Sequence, residues 1–476
     1  MNPLKKLASQ TAIYGLSSVV ARLLNYLLVP LYTRYFLPAE YGVVTELYAY
    51  VAFLVVLLTY GMETAFFRFS KKEEATAKVY STTLISLLIS SVVFIGLIFL
   101  NSSAISQWLG YVNHPEYIQF FALIIGMDAV ASISFAKLRE QDKAVRFALI
   151  RIVSITVNIS LNLYFIVYHD PFSLFQNQDF GIAYIFIANL VASAITLIML
   201  FPEMISSTWV FDKKLWKKMM IYAIPLLIAG LAGMTNETID RILLKHLLPN
   251  TDMAASELGL YGAFYKLSII MILFIQTFRF AAEPFFFAQE KEGSSRKIYA
   301  VVMKYFTIIM AFIFLGVTIF YDVIKGFLGS EYHDERGFLV VSILLLANLF
   351  LGIYYNLSIW YKLTEKTKYG AYLSIFGAII TLSLNLTLIP VLGFVGCAWA
   401  TLVCYLSMTV ASYYLGKRHF SVPYQVKRIS FYLFGMLCVY FCIYFTNLNM
   451  WINSLFLLGF VIFVYSLENP KLTLKL

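Results

Sequence analysis

The chain has 476 residues, 61% hydrophobic and 13% charged, with a net charge of +10 and a mean hydropathy of +0.78. Soluble domains carry roughly a quarter charged residues, so this composition excludes a water-soluble globular protein and points to a polytopic membrane protein. Its 36 basic residues against 26 acidic ones raise nucleic acid as a partner, but their placement on one side of the membrane assigns them to topology and leaves no nucleic-acid surface.

A helix crossing the roughly 30 Å hydrocarbon core needs about 20 apolar residues. Fourteen runs meet that length, approximately 10–33, 42–62, 79–100, 118–136, 147–168, 181–202, 219–243, 257–278, 299–320, 338–360, 370–390, 394–415, 429–446 and 451–467. Strand-type alternation over ten-residue segments is absent, which argues against an outer-membrane barrel. The expected fold class is an all-α polytopic membrane protein with about 14 transmembrane helices. The start, MNPLKKLASQTAIYGLSSVVARLL, is basic but runs on as a long helix interrupted by Arg22 and has no small-residue cleavage site. It reads as a retained span, not a removed signal peptide.

With the segments between spans numbered alternately from an inside N-terminus, the inside ones hold 27 of the 36 basic residues. Among them are Lys5, Lys6, Lys78, Lys143, Arg146 and the cluster Lys213, Lys214, Lys217 and Lys218. The outside segments hold only Arg34, Lys245, Lys325 and Arg336, and five basic residues fall within spans. The positive-inside rule then puts both termini in the cytoplasm, and the intact alternation supports an even number of spans. That rule also accounts for the lysines at 213–218, which are otherwise placed to attract anionic lipid headgroups or an incoming diphosphate.

The four cysteines, Cys397, Cys404, Cys438 and Cys442, all lie in expected spans and read as small apolar side chains, with neither a disulfide framework nor metal spacing. No segment between spans exceeds about twenty residues, and the chain lacks a phosphate-cradling G-x-x-x-x-G-K-[ST] loop, G-x-S-x-G and H-E-x-x-H. Neither ATP hydrolysis nor a metal site is expected. The many tyrosines and phenylalanines are expected mostly at lipid-facing and interfacial positions.

The sequence repeats. LLVPLYTRYFLPAEYG (27–42) is answered by LLKHLLPNTDMAASELGLYG (243–262), FFRFSKKEEATAKVYS (66–81) by FFFAQEKEGSSRKIYA (285–300), and SLNLYFI (160–166) by SLNLTLI (383–389). The last pair is followed in each half by a glycine that opens the next span, Gly181 and Gly393, and the offset stays between 211 and 223 residues. Spans 1 to 6 and 7 to 12 therefore read as two copies of one bundle. The expected organisation is an N-lobe at 1–205, a cytoplasmic linker at 206–218, a C-lobe at 219–416, and two extra helices at 417–476. An even number of spans per copy gives both copies the same orientation, as in transporters built from parallel repeats.

LLVPLYTRYFLPAEYG, IDRILLKHLLP followed by ELGLYGAFYKL, and GFVGCAWATL (393–402) resemble signature stretches of the polysaccharide biosynthesis, or oligosaccharide flippase, family. Its Wzx-like members belong to the multidrug/oligosaccharidyl-lipid/polysaccharide (MOP) exporter superfamily, and the resemblance runs from about residue 4 to 415. It implies a V-shaped pair of six-helix lobes and translocation of undecaprenyl-diphosphate-type oligosaccharides across a bacterial inner membrane. Fourteen spans depart from the twelve often drawn for such flippases and are similar to the peptidoglycan-precursor flippases, which keeps lipid II open as a substrate. The partners implied are the lipid-linked oligosaccharide and membrane lipids, and association with polysaccharide assembly enzymes stays open.

Ionisable groups in hydrocarbon cost about 2.5 to 3.5 kcal/mol on insertion scales, so each is a functional candidate. Arg22, Lys266 and Asp128 fall near mid-membrane, and Glu46, Glu237, Asp240 and Arg241 in the outer half. The substrate-binding candidates are Arg22, Arg241 and Lys266, on spans that by resemblance wall a cavity and would hold a diphosphate; an arginine fork donates two hydrogen bonds to phosphate oxygens. The competing reading is internal neutralisation, since Glu237 stands four residues before Arg241, the favourable order for an ion pair on one helix face. Asp128, Asp240, Glu46 and Glu237 are candidates for coupling to a proton or sodium gradient, because a carboxylate in low dielectric can load a proton near neutral pH; each is otherwise a hydrogen-bonded packing residue. No other cofactor and no catalytic residue is expected. The function expected is a flippase for cell-surface polysaccharide such as O-antigen, lipopolysaccharide or capsule. The rivals are a lipid II flippase, a multidrug exporter, whose cationic cargo would favour carboxylates over Arg22 and Lys266, and a glycan polymerase or ligase, which would be expected to carry a sizeable outside loop.

Overall fold

The structure, a computed structural model, describes residues 19–20, 23–70, 76–168, 181–289, 295–446 and 449–468. The regular elements among these residues are helices, without strands. Twelve are long and apolar enough to cross a membrane, and a bent pair, Met253–Leu267 with Ile269–Phe280, makes a thirteenth span if taken together. These thirteen match thirteen of the expected runs. The remaining run, 10–33, lies partly outside the described residues, and Arg22 is among those outside them.

The chain divides into two compact units, Met1–Gly259 and Leu260–Leu476. The first contains α1 (Val29–Tyr35), α2 (Pro38–Thr59), α3 (Met62–Ser70), α4 (Thr76–Leu100), α5 (Ser102–Trp108), α6 (Pro115–Glu140), α7 (Ala144–Tyr168), α8 (Ala183–Ile205) and α9 (Lys213–Leu247). Helix α9, with which the sequence repeat opens its second copy, thus groups with the first unit, and the boundary falls inside α10 (Thr251–Leu267). Helix α6 is the centre of this unit, packed against α2, α4 and α8. Its apolar stretch is 67% buried, against 22% in α4 and 28% in α7. Small residues make this possible: Ala122, Gly126, Ala129 and Ala136 line α6, and a Cβ on Gly126 would meet Ile95 Cδ1 at 2.6 Å. Without a hydrophobic force between helices in lipid, such close backbone approach supplies the packing contacts.

The second unit contains α11 (Ile269–Gln289), α12 (Ser295–Ile319), α13 (Tyr321–Lys325), α14 (Gly337–Leu357), α15 (Ile359–Leu363), α16 (Lys368–Leu392), α17 (Phe394–His419), α18 (Val426–Thr446) and α19 (Met450–Glu468). Here α14 with α15 takes the central role, 72% buried and packed on α12 and α17. Helix α14 is the repeat partner of α6, so the fourth span of each copy is the one most buried in its unit. Cys397 and Cys404 are buried in α17, whereas Cys438 and Cys442 are exposed on α18, and all four are free thiols. The two appended helices α18 and α19 pack on each other and on α12. The Lys304 ammonium donates to Glu468, which also accepts from the Tyr432 hydroxyl, so one carboxylate joins all three helices. Many aromatics go inward instead of to lipid, among them Trp360, Tyr80, Tyr261, Tyr299 and Phe186, each under 2% exposed.

The repeat has a conformational basis. Gly181 and Gly393 both take left-handed backbone, at φ +46° and +57°, which an L side chain rarely adopts and which turns the chain into the next span. The doubled Leu-Pro motif has a packing basis within the first unit. A Cβ on Gly42 would lie 2.0 Å from the Ala255 carbonyl oxygen, and one on Gly259 would lie 1.8 Å from that of Pro38. The segments following the two Leu-Pro pairs therefore touch backbone to backbone. Gly42→Ala must force α2 and α10 apart and should destabilise by about 1–3 kcal/mol or more, read as a lowered unfolding midpoint in detergent. Gly96→Ala on α4, where nothing lies within 4 Å of the added methyl, should leave the midpoint unchanged or raised.

Candidate functional site

Helix α9 carries basic residues at its start and Glu237, Asp240, Arg241 and Lys245 toward its end. It begins at Asp212, whose carboxylate accepts from the main-chain N–H of Lys214 (2.8 Å) and Leu215 (3.0 Å) and pairs with Lys78 at 2.7 Å. Lys78 and these donors hold the carboxyl down at about 2, as expected for an anion at a helix N-terminus. Further along, Glu237, Arg241 and Lys245 recur every four residues on one face.

Lys245, placed by the sequence in an outside segment, is the centre of a buried network. Its ammonium lies 2.5 Å from Glu46 Oε2 on α2, 2.8 Å from the Leu109 carbonyl and 2.8 Å from the Tyr111 hydroxyl. The Tyr111 hydroxyl donates to Glu46, and the ammonium sits 3.9 Å over the Tyr111 ring. Glu46 is fully buried, and its second oxygen, Oε1, has no hydrogen-bond partner. Burial, reinforced by the Glu46 charge, pushes the Tyr111 hydroxyl well above its ordinary pKa, so it stays a donor. Beside this network, Tyr50 and His246 hydrogen-bond at 3.0 Å. Glu46, a coupling candidate from sequence, thus has a dedicated cation.

Arg241 is buried, and its guanidinium donates to the Glu237 carbonyl oxygen at 2.7 Å. Its ion pair is with Asp240, at 3.6 Å, and Asp240 also accepts the Arg241 main-chain N–H at 2.9 Å. The i,i+4 spacing raises the Glu237 carboxylate as an alternative partner, and the ion pair seen is with the adjacent Asp240. Glu237 is exposed and Asp240 buried, and the carboxylate removed from solvent is the one whose charge most needs compensation. Asp240 is therefore engaged with a neighbouring cation, and Glu237 carries the exposed carboxylate.

Asp128, on α6, has a different setting. The Ser193 hydroxyl on α8 stands beside it, with Tyr48 and Arg151 close enough to act on it electrostatically. Asn189 donates to the Tyr48 hydroxyl at 2.5 Å. No ion pair of Asp128 occurs among the described residues. Sequence reading missed Ser193, Asn189 and Tyr48; their signal was polar side chains inside otherwise apolar runs.

Lys266, in the second unit, is half-buried and stands beside a break in its span. Helix α10 ends at Leu267, α11 starts at Ile269, and the two are bent by 46°. At the break the i−4 ladder gives way to i−3 bonds, Ser268 N–H to the Tyr265 carbonyl and Met271 N–H to the Ser268 carbonyl, each at 3.2 Å. The Ser268 hydroxyl donates to the Tyr265 carbonyl at 2.8 Å and receives Asn348 Nδ2 at 3.5 Å. The apolar run 257–278 did not betray this interruption, for serine is tolerated within a span. Among the described residues no group of three His, Cys, Asp or Glu side chains is placed to hold a metal.

The family described as polysaccharide biosynthesis protein matches residues 7–289. The chain belongs to that family. No curated protein matches it. Among solved structures it is similar to the lipid II flippase MurJ in an inward closed conformation, at 15% identity and a TM-score of 0.74, covering 97% of this chain and 99% of that one. It is also similar to an inward-facing multidrug resistance MATE family transporter of the MOP superfamily, at 13% identity and a TM-score of 0.67, covering 86% and 97%. A third similar structure is a MOP superfamily transporter from Pyrococcus furiosus, at 13% identity and a TM-score of 0.56, covering 87% and 94%. This member of the polysaccharide biosynthesis family therefore has the MOP fold, as the resemblance in the sequence implied.

Proposed function

We propose that this protein is a flippase that carries a polyprenyl-diphosphate-linked oligosaccharide from the cytoplasmic to the outer leaflet of a bacterial inner membrane by alternating access. Membership of the polysaccharide biosynthesis family is the observation that carries the reading. Supporting it are cations within apolar spans, Arg22, Arg241 and Lys266, whose chemistry suits a diphosphate. Broken spans in transporters expose main-chain groups to a substrate path, and Lys266 adjoins one. The lipid tail stays in the bilayer while the glycan and diphosphate cross, so no bond is made or broken. The 27 basic residues in alternate segments support cytoplasmic termini.

The test is leaflet exposure of a labelled polyprenyl-diphosphate oligosaccharide in vesicles carrying the purified protein. Protein-dependent appearance of the glycan on the far side is expected; a glycan that stays put while its chain length or linkage changes would replace the flippase with an enzyme. A second reading, lipid II as cargo, is favoured by likeness to MurJ over nearly the whole chain. Competition between lipid II and a surface-polysaccharide precursor in the same vesicles separates the two.

Ion-gradient coupling belongs to the same proposal. Glu46 and Asp240 are each committed to a cation, whereas Asp128, beside the Ser193 hydroxyl and within electrostatic reach of Arg151, has no ion pair among the described residues and is the carboxylate we assign to exchange a proton or sodium ion. Asp128→Asn should abolish the dependence of flipping on an imposed gradient while leaving downhill movement measurable. Unchanged gradient dependence in that variant would remove Asp128 from the mechanism.

A further inference from the structure

Where α9 begins, beside α4, an apolar recess of 430 Å³ lies among Tyr60, Ile89, Val93, Phe211, Trp216 and Met220. Hydrogen bonds fix its wall. The Trp216 indole N–H donates to the Ser86 hydroxyl oxygen at 2.8 Å, the Tyr60 and Ser86 hydroxyls bond at 2.6 Å, and the Asp212 main-chain N–H donates to the Thr82 hydroxyl oxygen at 3.2 Å. Just before the helix, Trp209 takes left-handed backbone at φ +52°, which an L side chain rarely adopts. Trp209, Val210 and Phe211 are 51%, 49% and 42% exposed. Exposed aromatic side chains at the end of a spanning bundle belong in the membrane interface, so the residues that follow them lie at headgroup depth.

Those residues are Lys213, Lys214, Lys217 and Lys218, all exposed and without an ion pair among the described residues. The one carboxylate in the sequence of segment 206–218, Asp212, is spent on Lys78 and on the main-chain N–H groups of Lys214 and Leu215. The four lysine charges are therefore uncompensated within the segment. The positive-inside rule asks for basic residues here but not for their crowding. Lys213 with Lys217 and Lys214 with Lys218 are like-charge pairs one turn apart, each unfavourable, and cations at a helix start oppose the macrodipole. A bound anion relieves both costs, and four cations suit a diphosphate better than a single phosphodiester. Lys213 and Lys217 share a helix face with Met220, which lines the recess, so phosphates held by these lysines put the attached hydrocarbon into it. The recess has room for one chain. One chain bearing two adjacent phosphates is the chemistry of a polyprenyl diphosphate, whereas a glycerophospholipid carries two chains on one phosphodiester.

We infer that this is a loading site, where Lys213 and Lys217 hold the diphosphate of the incoming lipid-linked oligosaccharide and the isoprene units nearest it enter the recess beside Trp216. The inference rests on the flippase reading, which brings that lipid to the side of positive charge. Lys214 and Lys218, on the adjoining face, add to the attraction, as polybasic segments at a membrane surface do.

Undecaprenyl diphosphate bearing a diazirine in the isoprene unit next to the diphosphate, placed with the full chain in phosphatidylcholine nanodiscs, tests this. Photolysis should put adducts on Trp216, Met220, Ile89 or Val93, suppressed by unlabelled undecaprenyl diphosphate and not by phosphatidylglycerol at the same mole fraction. Lys213→Gln with Lys217→Gln should reduce the yield about 25-fold, roughly fivefold for each basic residue near an anionic headgroup. Lys213→Arg with Lys217→Arg should restore it. The inference is overturned by an unaltered yield in the double Gln variant, by adducts spread evenly onto Leu100 of α4 and Leu149 of α7, or by equal suppression with phosphatidylglycerol, which would make the recess a site for bulk anionic lipid. Flipping without labelling in the recess would remove the loading site alone. Specific labelling of a protein that moves no glycan would instead remove the flippase reading and leave a diphosphate-lipid site in place.

Discussion

Lys245→Ala should cost this protein about 3–5 kcal/mol of stability, the usual consequence of leaving a buried charge without its partner. The geometry explains why this substitution outweighs others in the first unit. The Lys245 ammonium is 11% exposed and Glu46 not at all, and the cation also satisfies the Leu109 carbonyl and the Tyr111 hydroxyl. Its loss strands a carboxylate whose other oxygen already lacks a partner. The pair as a whole is worth much less than that penalty, because desolvating two charges offsets most of their attraction. Glu46→Leu with Lys245→Met should therefore sit near wild type in a denaturant titration in detergent, while Lys245→Ala alone falls far below it. A Lys245→Ala variant within about 1 kcal/mol of wild type, the range of an exposed pair, would mean that Glu46 is not a buried anion.

The contrast between Lys245 and its surroundings marks what the sequence discloses. Thirteen spans were legible because apolar runs of about 20 residues have few other uses, and the repeat was legible because Gly181 and Gly393 answer the same backbone requirement. Close approach at Gly42 and Gly259 lies behind the doubled Leu-Pro motif, yet spacing alone gave no hint that the copies touch. Glu46 and Lys245 are 199 residues apart, and nothing local distinguishes a lysine with a buried partner from one at a membrane surface. Helical spacing offered Glu237 as one partner for Arg241, whereas the structure pairs it with the buried Asp240, and burial is a quantity one-dimensional patterning does not contain. The break at Ser268 was hidden because hydropathy averages over a span and serine lowers that average little. Local rules thus located the charges, and tertiary burial decided which of them are spent on one another.

Lys266 is where that distinction bears on transport. Lys266→Gln should slow flipping of a labelled lipid-linked oligosaccharide by about 10- to 150-fold, corresponding to the 1.5–3 kcal/mol of a hydrogen bond to a charged group. Lys266→Arg should stay within a few-fold, since it keeps the charge and adds a fork suited to phosphate. The argument rests on position. Lys266 is half-buried, next to a 46° break where regular main-chain bonding is interrupted. Irregular backbone at membrane depth is tolerated where it is covered by protein or lines a water-filled path. Asn348 and Ser268 brace the break from within the second unit, so the lysine can change while its support remains. Both variants should retain the wild-type unfolding midpoint in detergent, which separates a transport defect from misfolding. If Lys266→Gln instead lowered that midpoint and transport fell only in proportion to the folded fraction, the lysine would be a packing residue of α10, and the diphosphate would have to be held elsewhere.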